Sequence, residues 1–123
     1  MTSMNRRTQR MASLIQSSLA RLLLQEVSDP GLREIIITEV EVSADLKHAK
    51  VYFTQGLTPD NAIKEKDIQK GFKRALPFLK RKIGEELELR NIPDLQFKVD
   101  THHESMSHLF EVMDQPENKS KIQ

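Results

Sequence analysis

IIITEVEVSADLKHAKVYFT, residues 35–54, decides the fold class. Ile35, Ile37, Glu39 and Glu41 share one parity, and Ile36, Thr38, Val40 and Val42 share the other. Strand side chains point alternately to the two faces of a sheet, so this stretch reads as a half-buried strand. Residues 49–54 repeat the pattern, with Val51 and Phe53 alternating against Lys50 and Tyr52. The connection, residues 43–47, carries the turn formers Ser43 and Asp45, and its shortness implies a hairpin.

Upstream, residues 6–27 read as an amphipathic helix. Met11, Leu14, Ile15, Leu19, Leu22 and Leu23 recur at helical spacing and form one apolar stripe. Asp29-Pro30-Gly31 ends the helix and forces a turn. Downstream, Gly56, Pro59 and Asp60 mark a loop, and Asp60 is a candidate cap for the helix that follows. Residues 62–89 carry Ile68, Phe72, Ala75, Leu79, Ile83 and Leu87 at spacings of three or four. Pro77 interrupts that run. It lacks an N–H and disfavours a helical conformation at Leu76, which predicts two helices meeting at Ala75-Leu76-Pro77 with Pro77 in the first turn of the second. A single helix bent at the proline is the alternative.

Asn91-Ile92-Pro93-Asp94 reads as a turn, and Leu95, Phe97 and Val99 alternate with Gln96, Lys98 and Asp100 as a third strand. Met106, Leu109, Phe110 and Met113 suggest a short terminal helix over residues 105–113, and residues 114–123 read as a disordered polar tail. The expectation is one α+β domain over residues 1–113, a three-stranded sheet with helices on one face.

Several function classes lack their residues. Cysteine is absent, which removes disulfides and thiolate metal sites. No apolar run is long enough to cross a bilayer, and residues 1–10 are polar and basic, unlike a secretory signal. These features predict a cytoplasmic protein with no membrane partner. No Gly-x-Ser-x-Gly turn or Gly-rich phosphate loop occurs, so no enzyme activity or cofactor is expected. His102, His103 and His108, with Glu104 and Asp100, match no metal-ligand spacing and read as a polar surface turn.

Charge distribution is more informative than the net charge of +1. Arg6, Arg7 and Arg10 crowd the first turns of the first helix, where the helix dipole favours acids. Residues 70–82 carry Lys70, Lys73, Arg74, Lys80, Arg81 and Lys82 with no acid among them. Such a block suits RNA phosphates, and a helix N-terminus opened at Pro77 would add backbone donors for an anion. A solvated helix face explains the block equally well on charge alone. Aromatic residues are sparse, which favours recognition of folded RNA by backbone and shape over base stacking. The other reading is a protein-interaction module that docks a partner through the hairpin or the acidic strand face near Glu39 and Glu41.

Taken in order, Arg7-Thr8-Gln9-Arg10, Asp29-Pro30, residues 40–46 (VEVSADL), Ala49-Lys50-Val51-Tyr52, and Leu89-Arg90, Pro93, Leu95, Phe97 and Asp100 resemble the bacterial ribosome-binding factor A family. The resemblance covers residues 7–109. It implies a KH-type (type II) domain of α-β-β-α-kink-α-β order that lacks the Gly-x-x-Gly loop of ordinary KH domains. It also implies an Ala-x-Gly kink, matched by Ala75 and Leu76, with Pro77 in place of the usual glycine. A glycine usual after the last strand is likewise absent from residues 105–107. By the same resemblance the chain is a monomeric, cofactor-free assembly factor. It would bind the immature small ribosomal subunit and its 16S rRNA, not DNA, and support late maturation and 5′-end processing. In some bacteria a GTPase helps such a factor leave. Arg7, Arg10 and Arg90 fall on matched positions, and charge adds them to the candidate RNA contacts.

Overall fold

The computed structural model describes residues 6–56 and 59–101. Its elements are α1 (Arg6–Gln25), β1 (Ile35–Val42), β2 (His48–Gln55), α2 (Glu65–Leu87) and β3 (Asp94–Val99), with one-turn helices at Pro30–Leu32 and Pro59–Asn61. The sheet order is β1-β2-β3. β1 and β2 are antiparallel, and β2 and β3 are parallel. Parallel neighbours need a long crossover, and α2 supplies it. This is the expected α+β class with a three-stranded sheet. The segment 105–113, the tail 114–123 and the histidines 102, 103 and 108 lie outside the described residues.

β1 solves a parity problem. Its core-facing residues change parity midway, from Ile35 and Ile37 to Val40 and Val42, while Ile36 is exposed. Ile37 pairs with Phe53 and Glu39 with Tyr52, so Thr38 is the extra residue of a β-bulge. The bulge turns Ile37, Val40 and Val42 into the core, with Ile35 half-buried behind them, and leaves Glu39 exposed. An unpaired bulge residue needs other partners for its polar groups. Gln16 Nε2 of α1 donates to the Thr38 carbonyl (3.3 Å). The Thr38 hydroxyl proton is shared between the Asp100 carboxylate and the Tyr52 carbonyl (3.3 Å).

In the hairpin, the Asp45 carboxylate accepts from Ser43 Oγ (2.6 Å) and the Lys47 N–H (3.0 Å). These two bonds hold the Asp45 carboxyl below its usual range. Leu46 takes a positive φ of 62° there.

Both helices cover the face of the sheet that carries Ala49, Val51 and Phe53. α1 buries Ala12, Ile15, Leu19, Leu22 and Leu23 against β1. Leu14, expected in that stripe, lies off it and is 42% exposed. α2 is anchored through Phe72, which stacks on Phe97 (3.9 Å between centroids) and meets Phe53 (5.2 Å). Gln69 Nε2 also donates to the Phe97 carbonyl (2.9 Å). Among the described residues no helix is long and apolar enough to cross a membrane.

The predicted break at Ala75, Leu76 and Pro77 does not occur. α2 is one helix with Pro77 inside it. Its buried residues, Ile68, Gly71, Phe72, Ala75, Leu79 and Ile83, keep helical spacing straight through the proline. Pro77 sits on the opposite, exposed side. It forfeits one backbone bond to the Lys73 carbonyl, and the core contacts made on both sides of it outweigh that loss. No helix N-terminus opens at Pro77, so the extra anion donors expected there do not exist. Asp60 does not cap α2 either. Lys64 is the N-cap residue and makes no side-chain cap bond. Instead Gln55 fixes the entry, bonding both the N–H and the carbonyl of Ile63 (2.7 and 2.8 Å).

Two outcomes follow. Deleting Thr38 removes the bulge but leaves Ile35, Ile37, Val40 and Val42 on one parity, so the core face is kept and the loss is confined to the Thr38 hydrogen bonds to Gln16 and Asp100, about 1–3 kcal/mol; urea titration measures the loss. Pro77→Ala restores the missing bond and raises stability by about 1–3 kcal/mol without moving an element, read by the same titration and by unchanged circular dichroism.

Candidate nucleic-acid interface

The relation of the two helices determines where every candidate cation points. Ser18 Oγ donates to Glu86 (2.6 Å), and Arg21 binds both Glu86 and Glu26, the latter at 3.2 Å. Lys82 Nζ lies 3.6 Å from Glu26. Arg74 grips Asp29 with two bonds of 2.7 Å. Rising residue numbers on α1 meet falling numbers on α2, so the helices run in opposite senses side by side. The Arg21 guanidinium, then the Ser18 hydroxyl, hold Glu86 below the usual carboxylate range, and the Glu86 carboxylate raises Arg21 in turn.

These pairings divide the basic block. Arg74 turns toward the Pro30–Leu32 turn and Lys82 toward the end of α1, where they meet acids from outside the block, so both are committed to holding the fold. Arg81 lies over the Phe78 ring at 5.5 Å and 3.9 Å from Glu85. Lys70, Lys73 and Lys80 make no ion pair within 4 Å among the described residues, and neither do Arg6, Arg7, Arg10 and Arg90. Helical spacing adds one residue to the group. Lys66, Lys70, Pro77 and Arg81 lie on the side of α2 opposite Ile68, Phe72, Leu79 and Ile83, and Lys73 and Lys80 stand on the adjoining flank. Reading the block as a contiguous run missed Lys66, because Glu65 and Asp67 flank it in sequence while pointing elsewhere on the helix.

Arg6 and Arg10 lie on the side of α1 opposite Ile15 and Leu22, so they too face away from the sheet. They do not join the α2 row. Measured along the helix axes from the Ser18–Glu86 contact, Arg10 and Lys80 are about 20 Å apart at a rise of ~1.5 Å per residue. Arg90, just past the end of α2, lies toward the α1 group. The cations therefore occupy one layer in two groups.

The other side of the sheet is mixed in charge. Glu41 stands opposite Lys50 in register and accepts from the Tyr52 hydroxyl (3.3 Å). Burial, then Glu41, raises the Tyr52 pKa. The described residues hold no cluster of His, Asp and Glu able to take a metal ion.

The sequence profile of ribosome-binding factor A matches residues 7–113. This chain belongs to the ribosome-binding factor A family. A relative named ribosome-binding factor A from Thioalkalivibrio sulfidiphilus is 37% identical over 117 residues, which cover 95% of this chain and 88% of the relative. The crystal structure of ribosome-binding factor A from Thermus thermophilus superposes with a TM-score of 0.63 at 21% identity, covering 75% of this chain and 94% of that one. A Thermus thermophilus ribosome-binding factor A model fitted into the cryo-EM map of a 30S complex gives a TM-score of 0.51 at 23% identity, covering 69% and 90%. The fold is thus the KH-like arrangement of ribosome-binding factor A.

The Asp29–Arg74 clasp gives this site a pH signature. Arg74, then the Gly31 N–H (2.8 Å), lower the Asp29 pKa from 3.8 to about 2. A lowered folded-state pKa adds stability that is present above the unfolded value and lost as pH falls through the folded one. Wild-type protein therefore loses this contribution between pH 3.8 and about 2, while Asp29→Asn, less stable at neutral pH, shows a flatter decline there; urea midpoints across a pH series measure the difference.

Proposed function

We propose that the domain binds the immature small ribosomal subunit by laying its helical layer on folded 16S rRNA. It acts by occupancy, holding an RNA junction in one conformation during late maturation and 5′-end processing, and catalyses nothing itself. The observation that carries this reading is the outward row Lys66, Lys70, Lys73, Lys80 and Arg81. Few carboxylates neutralise it, while Arg74 and Lys82, in the same stretch of sequence, are neutralised. Unpaired, solvated cations can release counterions from RNA phosphates, whereas ion-paired ones must first give up a partner.

Family membership supports the target, as does the relative fitted into a 30S complex. Arg6, Arg7, Arg10 and Arg90 would extend the contact to a second group of phosphates along the same layer. Phosphate contacts fix position and register without reading base sequence, which suits a factor that recognises the shape of an assembly intermediate. Such a factor works in the cytoplasm as a monomer and must leave before translation, a step a GTPase would assist.

Replacing Lys70 and Lys73 together by Gln tests the row. The slope of log affinity for small subunits against log salt should fall by about 2, one unit per lost phosphate contact. Lys47→Gln on the hairpin turn should leave the slope unchanged. Co-sedimentation over a salt series measures both, and equal slopes for all three proteins would remove α2 from the contact.

A further inference from the structure

An apolar groove of about 540 Å³ opens where α1 ends and β1 begins, lined by Leu23, Leu24, Val27, Pro30, Leu32 and Ile35. Leu24 on its wall is 82% exposed. Nothing in the RNA-binding reading uses this groove. An exposed leucine beside a concave apolar surface is the usual mark of a surface that another segment covers.

We propose that residues 105–113 of this same chain cover it, seating Met106, Leu109, Phe110 and Met113 in the groove. The exit point of the chain favours this occupant. β3 ends at Val99 beside Phe53, and the Asp100 N–H still donates to the Phe53 carbonyl (2.8 Å). Two residues further along β2, Gln55 pairs with Ile35, which lines the groove. The chain thus leaves the sheet at the groove end, two strand spacings or roughly 10 Å away. The residues between Asp100 and Met106 reach roughly 16 Å when extended, enough to round that end of the sheet.

Spacing favours it as well. The four apolar residues recur at i, i+3, i+4 and i+7, which places them on one face of a helical turn pair. The family match also runs to residue 113, where this stripe ends. Charge is compatible. Residues 102–114 carry Glu104, Glu111 and Asp114 and no Lys or Arg. Of the charged residues lining the groove, Arg33 makes no ion pair among the described residues, Glu34 is acidic and Asp29 is engaged by Arg74, so charge neither selects nor opposes the segment. The docked segment closes the open end of the core with the chain's own residues.

The absence of cysteine makes a clean test available. A nitroxide on Gln115→Cys of the full chain should broaden the backbone amides of Leu24, Val27 and Ile35 in dilute solution, cutting their intensity by more than half. Phe110→Asp, or Leu24→Asp at its exposed position, should restore those signals while circular dichroism stays constant. Three results would overturn the proposal: no broadening at the groove, broadening along Lys66, Lys70 and Lys73 instead, or broadening seen only when labelled and isotope-enriched copies are mixed. The second would place the acidic segment on the basic row, and the third would make a second copy the occupant.

Discussion

Thr38 governs the rest of the molecule. Ile35 and Ile37 before it and Val40 and Val42 after it occupy opposite parities, and a straight strand would bury only one of the two sets. A single extra residue lets both sets face the same core. That choice decides which side of the sheet receives α1 and α2, and so which way the outer sides of the helices look. Gln16 then fastens α1 to the carbonyl of the bulge residue. A packing requirement in one strand thereby sets the direction of a charged surface built two layers away.

Within that layer, internal ion pairing sorts cations by duty. Six basic residues lie close together in residues 70–82, yet the helix distributes them around its axis. Those facing α1 and the Pro30–Leu32 turn find Asp29 and Glu26 and hold elements together. Gly31 allows the close approach behind the Asp29 clasp, since a Cβ there would stand 2.7 Å from the Asp67 carbonyl oxygen. The residues facing outward keep their charge for a partner. Structural and recognition roles thus alternate along one stretch of helix.

Much of this could be read from residues alone, and the exceptions share a cause. The hairpin, the third strand and the α1 stripe follow from local periodicity, which is a property of neighbouring residues. The parity change in β1 was visible in the same letters, but it becomes a bulge only once the partner strand imposes a common core. Pro77 misled because its local cost is real, while the contacts that overcome it come from residues distant in sequence. The Arg74–Asp29 clasp joins residues 45 apart and has no local signature. Lys66 was missed by counting a run of letters where a rotation of the helix was the relevant measure.

The parallel placement of β3 has a consequence for how the domain comes into being. β2 is the central strand, yet one of its edges stays open until residues 94–99 arrive, and in a chain made from its N-terminus these are the last of the three strands to emerge. The hairpin and α1 can form early through contacts near in sequence, whereas closing the sheet means bringing together segments separated by the whole of α2. In that interval the backbone of Ala49, Val51 and Phe53 presents unpaired donors and acceptors to any other extended chain. Completion of this small sheet is thus a late event in its own synthesis, and the nascent domain is most open to wrong partners just before its last strand appears.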